Sequence, residues 1–287
     1  MIPNHVLGHR PPEEAGRAGQ GRPRYTFGVN RLEITDFDKN CLLLLEASPK
    51  KHSRHCFRSA INHFEKAEKL IQTDQEMAAF RCITAEEEAA SGLMQVLRER
   101  RYENADKLRP RDHIHKNAIF PFLVVLGSFF HEVIGVHGVI PKLHIKEENG
   151  KRLLTIGVPM VIEGEELLVY PVPPLNFMIK SDERRISYRK QITAFVEAQG
   201  ARDISTHVRE QANLRNQILY ASPSGYPGVS NLKTEFFTIR QKRIFALLKA
   251  YLFIYPYSER QPFVQDVLDA FLAMIGALDT HDLHEEV

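Results

Sequence analysis

The sequence predicts a mainly α-helical fold, a helical bundle carrying a small inserted antiparallel β-hairpin or sheet, and two patterns predict it. Long stretches space their apolar residues at three- and four-residue steps, the period of a helix with one buried face. One segment, at about 142–172, instead places strand-like apolar runs on either side of Asn149-Gly150, a pair suited to a tight hairpin turn. Pro171, Pro173 and Pro174 close that segment, because proline has no N–H to give a sheet.

In chain order, residues 1–24 hold glycine, proline and arginine with few aliphatics and are expected as a flexible tail, leaving 25–287 as a single helical domain. Phe57, Ala60, Ile61, Phe64, Ala67 and Leu70 mark a first helix over about 53–71. Thr73 and Asp74 interrupt it, and a second run from Met77 to Leu97 ends in the basic group around Arg98, Arg100 and Arg101, which suits a helix C-terminus. The link is short, so the two helices should pair antiparallel. Pro110 fits the first turn of a third helix running from about Arg111 into the 130s. Its apolar core, Ile119 to Phe130, is about a dozen residues long where a membrane span needs roughly 20, so it reads as buried in protein. After the β segment, helical periodicity returns near 182–199, 203–220, 231–254 and 259–278.

Composition narrows the function classes. With 38 basic against 36 acidic residues the net charge is +2, so contact with nucleic acid requires a local patch. Cys41, Cys56 and Cys82 are odd in number and unclustered, which points to reduced thiols in a cytoplasm rather than a disulfide framework. The first residues carry charges and prolines where a secretion signal needs an apolar stretch. The Ser222–Gly228 loop lacks the lysine and following hydroxyl of a phosphate-binding P-loop, and no cofactor is implied. His113-x-His115 offers two ligands without a third at metal-site spacing, so no metal is assigned.

The densest chemistry lies in 107–117, where Lys107, Arg109, Arg111, Asp112, His113, His115 and Lys116 crowd a helix start. Free N–H groups and partial positive charge there favour a phosphate, and arginines add charge-assisted hydrogen bonds. Histidine is the side chain most readily poised to move protons near neutral pH. On a regular helix Arg111 and His115 share a face, as do Asp112 and Lys116. A clamped phosphate beside an imidazole is the minimum for RNA cleavage by the ribose 2′-hydroxyl. The same cluster also reads as a solvated helix face with a core-edge histidine. Glu86, Glu87 and Glu88 offer a carboxylate to orient His115 or Arg109 across the helix pair, or simply an exposed acidic run.

Three blocks resemble the HEPN superfamily, particularly its abortive-infection AbiV-like branch: Ile83–Ala90 the acidic helix signature, Arg111–Lys116 the charged block, and Leu214–Tyr220 the late Arg-to-Tyr block. The resemblance implies a helical bundle, often dimeric, and in many members a metal-independent ribonuclease with an Arg-x4–6-His motif. Carried over to this chain, Arg109 with His115 fits that motif with five residues between them. Arg109 would then hold the phosphate and His115 act as acid or base, with His113 competing, Arg111 beside them and Glu87 in support. Lys116, Arg215 and Tyr220 join as RNA contacts. A further basic group, Arg184, Arg185, Arg189 and Lys190 around Tyr188, is expected on one helix that tracks a phosphate backbone, or as an ordinary solvated face.

The function expected from these residues is an RNA endonuclease of the toxin or anti-phage kind, with RNA, a second copy and an antitoxin or regulatory protein as partners, and no membrane. The other reading is a catalytically inactive helical module that binds RNA or protein through the same groove.

Overall fold

The computed structural model describes residues 34–282, apart from 136–139, 149, 163, 177–178, 182–183, 200 and 221–231. The expected tail at 1–24 and the Ser222–Gly228 loop lie outside the described residues. Within them the chain is mainly helical: α1 Asp36–Ala47, α2 His52–Leu70, α3 Gln75–Glu99, α4 His113–Gly135, α5 Arg189–Gln199, α6 Ala201–Leu219, α7 Thr234–Ile254 and α8 Pro262–Asp282. None of these helices is long and apolar enough to cross a membrane.

The centre of the bundle is α3, which packs against α2, α4, α6 and α7. Its sequence explains that position: Ala78, Ala79, Ala85, Ala89, Ala90, Ser91 and Gly92 are all buried, and small side chains let several helices approach one axis. Asp74 caps its start, accepting the Met77 N–H at 2.8 Å. At its end the Glu99 carboxylate accepts from Ser53 N and Oγ at 2.9 and 2.7 Å, so the start of α2 is tied to the end of α3 and the expected antiparallel hairpin forms. Gly92 is required at that crossing, because a Cβ there would stand 2.7 Å from the Phe57 ring.

The insertion is a three-stranded antiparallel sheet, β1 Lys142–Glu148, β2 Lys151–Ile162 and β3 Glu165–Val169, in the order β1-β2-β3. Glu148 pairs with Lys151 across the hairpin, and Gly150 takes φ +70°, while Asn149 of the expected turn lies outside the described residues. β2 carries buried Leu154 and Ile156 onto the core, whereas β3 is exposed along its length.

Several expectations need correction. Asp112, not Pro110, sets the start of α4: its carboxylate accepts the N–H groups of Ile114 and His115 at 2.8 and 3.4 Å. Arg111 therefore precedes the helix, and the face it was expected to share with His115 does not exist. The stretch 182–199 divides into a strand and a helix. β4 Ile179–Ser181 and β5 Arg184–Ile186 form a second hairpin, after which Ser187 Oγ accepts the Arg189 N–H at 3.1 Å and starts α5. Arg184 and Arg185 thus sit on a strand, and only Arg189 and Lys190 on a helix. α1 was not foreseen, since the consecutive Leu42–Leu45 conceal its period. Pro121 lies within α4, where its missing N–H leaves the preceding turn one hydrogen bond short.

Candidate functional site

Two neighbouring glutamates on α3 organise the polar interior. Glu86 and Glu87 are 8% and 7% exposed, so two members of the acidic run are turned inward, while Glu88 lines an open cleft. Adjacent positions on a helix point about 100° apart, so each finds its own partners. Glu86 receives Arg240 Nη1 at 2.7 Å and Arg243 Nη1 at 3.2 Å from α7, while Arg240 also donates to the Gln211 side chain of α6. Glu87 receives Lys116 Nζ and His113 Nδ1 of α4, each at 2.9 Å.

His113 is the junction. Its Nε2 faces Arg215 Nη1 of α6 at 2.9 Å. A guanidinium only donates, so Nε2 accepts, and the ring hydrogen sits on Nδ1, donated to Glu87. The carboxylate thereby fixes the tautomer and orientation of an imidazole whose side chain is 43% exposed. One residue from each of the three sequence blocks, Glu87, His113 and Arg215, meets in this chain of hydrogen bonds. The contact that had been considered for His115 or Arg109 goes to His113 instead.

His115 lies two residues further along α4, about 200° around its axis, and so faces the other way. It is 3% exposed, packs edge-on to Phe271 of α8 at 6.4 Å, and its Nδ1 accepts the backbone N–H of Arg109 at 3.3 Å. The Arg109 side chain is 66% exposed with Asp112 as a distant ion-pair partner at 3.8 Å. Both residues line one open cleft of about 410 Å³, with His115 in its floor.

The remaining expected residues scatter. Lys116 is 10% exposed and spent on Glu87, so it is turned away from any strand at the surface. Arg111 lines a different cleft of about 600 Å³ beside α2 and α3. Arg189 lines the His115 cleft, and Tyr220, 65% exposed, follows the end of α6. Among the described residues no three or more His, Cys, Asp or Glu side chains gather as metal ligands. The cysteine thiols are buried, and burial pushes Cys41 up to about 11 and Cys56 and Cys82 to about 12, which leaves them poor nucleophiles.

Sequence reasoning missed Arg240 and Arg243, because they sit in a helix read as aromatic core. A charged pair four residues or fewer apart inside an apolar helix was the available signal. Burial pulls the Arg240 guanidinium below its ordinary value, and the Glu86 carboxylate opposes that. It also missed Arg98, whose guanidinium donates to the carbonyls of Ala105, Asp106 and Leu108 and pins the segment leading to Arg109. Comparison with protein-family models, curated proteins and solved structures finds no match.

Proposed function

We propose that the chain is a metal-independent RNA endonuclease of the HEPN type, AbiV-like, in which His113 rather than His115 moves the proton. The single observation that carries the reading is the Glu87–His113–Arg215 chain of hydrogen bonds, built from the same three blocks that carry the resemblance. In this reading Arg215 leaves Nε2 for a phosphate oxygen when RNA binds. The freed Nε2 takes the proton of the ribose 2′-hydroxyl, whose oxygen attacks the adjacent phosphorus. The P–O5′ bond breaks, the proton taken up by Nε2 passes to the leaving 5′-oxygen directly or through water, and the products carry a 2′,3′-cyclic phosphate and a 5′-hydroxyl. Glu87 stabilises the imidazolium through Nδ1, and Lys116 Nζ, 2.9 Å away, holds the carboxylate in position.

The working protein in this reading is a cytoplasmic dimer under the control of an antitoxin or regulatory protein, as the resemblance implies. A second reading, an RNA- or protein-binding module without cleavage, draws on the fact that Arg215 already occupies the nitrogen a base would use. Cleavage of end-labelled RNA by the full chain in EDTA separates the two. Positioned acid–base catalysis contributes about 10²–10⁴-fold, so His113→Ala should lose at least 100-fold while melting like the wild type. A folded His113→Ala that cuts at the wild-type rate refutes the assignment, and a wild type that binds RNA without cutting it favours the module.

A further inference from the structure

The cleft on the far side of α4 gathers cations that the His113 chain does not use. Lys107 enters from the short 3-10 turn Ala105–Lys107, Arg109 from the segment before α4, and Arg189 from the first residue of α5. Two sequence-distant segments, 107–109 and the start of α5, thus bring positive charge to one open volume of about 410 Å³. Lys107 and Arg189 have no ion-pair partner among the described residues, and Arg109 has only Asp112 at 3.8 Å. The one carboxylate in the wall, Asp269, accepts instead from Asn104 Nδ2 and Gln265 Nε2 at 3.1 and 3.2 Å. Like charges left facing one another cost free energy that an entering anion removes.

The backbone that carries Lys107 and Arg109 is fixed before any ligand arrives. Arg98 clamps the carbonyls on either side of Lys107, and the His115 ring fastens the Arg109 backbone to the floor. With that backbone fixed, only side-chain freedom is lost when an anion binds. Opposite them α8 presents Leu272, Ala273 and Gly276, an apolar wall with room beside it, since a Cβ on Gly276 would meet nothing within 4 Å. A cleft with cations on one side and an apolar face on the other fits a ligand with the same two halves.

We propose that this cleft binds a phosphorylated nucleoside unit, its phosphate on Lys107, Arg109 and Arg189 and its sugar and base along the α8 wall. The unit is either a free nucleotide or one nucleotide of an RNA strand. This site does not depend on the cleavage proposed at His113, which lies on the opposite side of α4.

The test is calorimetric titration of the full chain with adenosine 5′-monophosphate and with adenosine, alongside anisotropy of a labelled single-stranded RNA oligomer. Adenosine 5′-monophosphate should bind at least 10-fold more tightly than adenosine. Arg109→Gln and Arg189→Gln should each weaken it about 10-fold, a loss typical of one charge-assisted contact. Gly276→Leu, which projects a side chain from the α8 wall where a Cβ meets nothing within 4 Å, should block it, with an unchanged melting curve showing that the fold is kept. If the natural occupant is an RNA strand, the oligomer loses affinity in the same variants; if it is a free nucleotide, the oligomer is unaffected. His113→Ala should leave nucleotide binding unchanged, so a protein that binds nucleotide here but never cleaves RNA refutes the nuclease and upholds the cleft. Failure of both ligands to bind, or undiminished binding of both in Arg189→Gln and Gly276→Leu, overturns the proposal.

Discussion

Replacing Arg240 by methionine tests whether the buried charge network holds the bundle together. The Arg240 side chain is 5% exposed, lies 2.7 Å from a Glu86 carboxylate that is 10% exposed, and stacks over Phe236 at 4.8 Å. Methionine keeps much of the apolar contact and removes the charge, so the loss falls on Glu86. Breaking a buried pair from one side costs about 3–5 kcal/mol. Arg243 remains 3.2 Å from the carboxylate, which places the expected cost near the lower bound, about 3 kcal/mol. For a body of this size that lowers Tm by roughly 6–12 °C. Urea unfolding of wild type, Arg240→Met, Glu86→Gln and the double variant gives the assay. The double variant should cost at least about 1 kcal/mol less than the sum of the singles. Additive costs, or an Arg240→Met protein as stable as the wild type, would refute the view that this pair ties α3 to α7.

Gly92→Ala gains about 1 kcal/mol of helix propensity but drives a methyl to 2.7 Å from Phe57, a ring that is fully buried and 4.9 Å from Tyr251. Overpacking costs about 1–3 kcal/mol, so denaturation should show a net loss, larger for Gly92→Val; an alanine variant more stable than wild type would show that Phe57 yields freely. His207 is held below its ordinary value first by burial and then by the Arg243 guanidinium, so the unfolded chain binds its proton more readily than the folded one. Its contribution is complete above about pH 6.5 and is lost as pH falls below that. His207→Gln should flatten the decline in stability as pH falls below about 6.5 relative to wild type, and an identical slope would refute it.

What the sequence determined by itself was local. Periodicity located α2, α3, α6, α7 and α8, and the apolar runs around Gly150 located the β1–β2 hairpin, because these depend on neighbours a few residues apart. It also marked 107–117 and the Glu86–Glu88 run as polar clusters, and the structure joins them through the bonds of His113 and Lys116 to Glu87. Helix boundaries near proline misled, since Pro110 and Asp112 both suit a helix start and only the hydrogen bonds of Asp112 decide between them. Which histidine meets which glutamate was never a local property. His113 and His115 differ by two positions, and a helix turns that spacing into opposite faces. Only the packing of α3, α6 and α8 around α4 then gave one imidazole a carboxylate and a guanidinium and sent the other against Phe271.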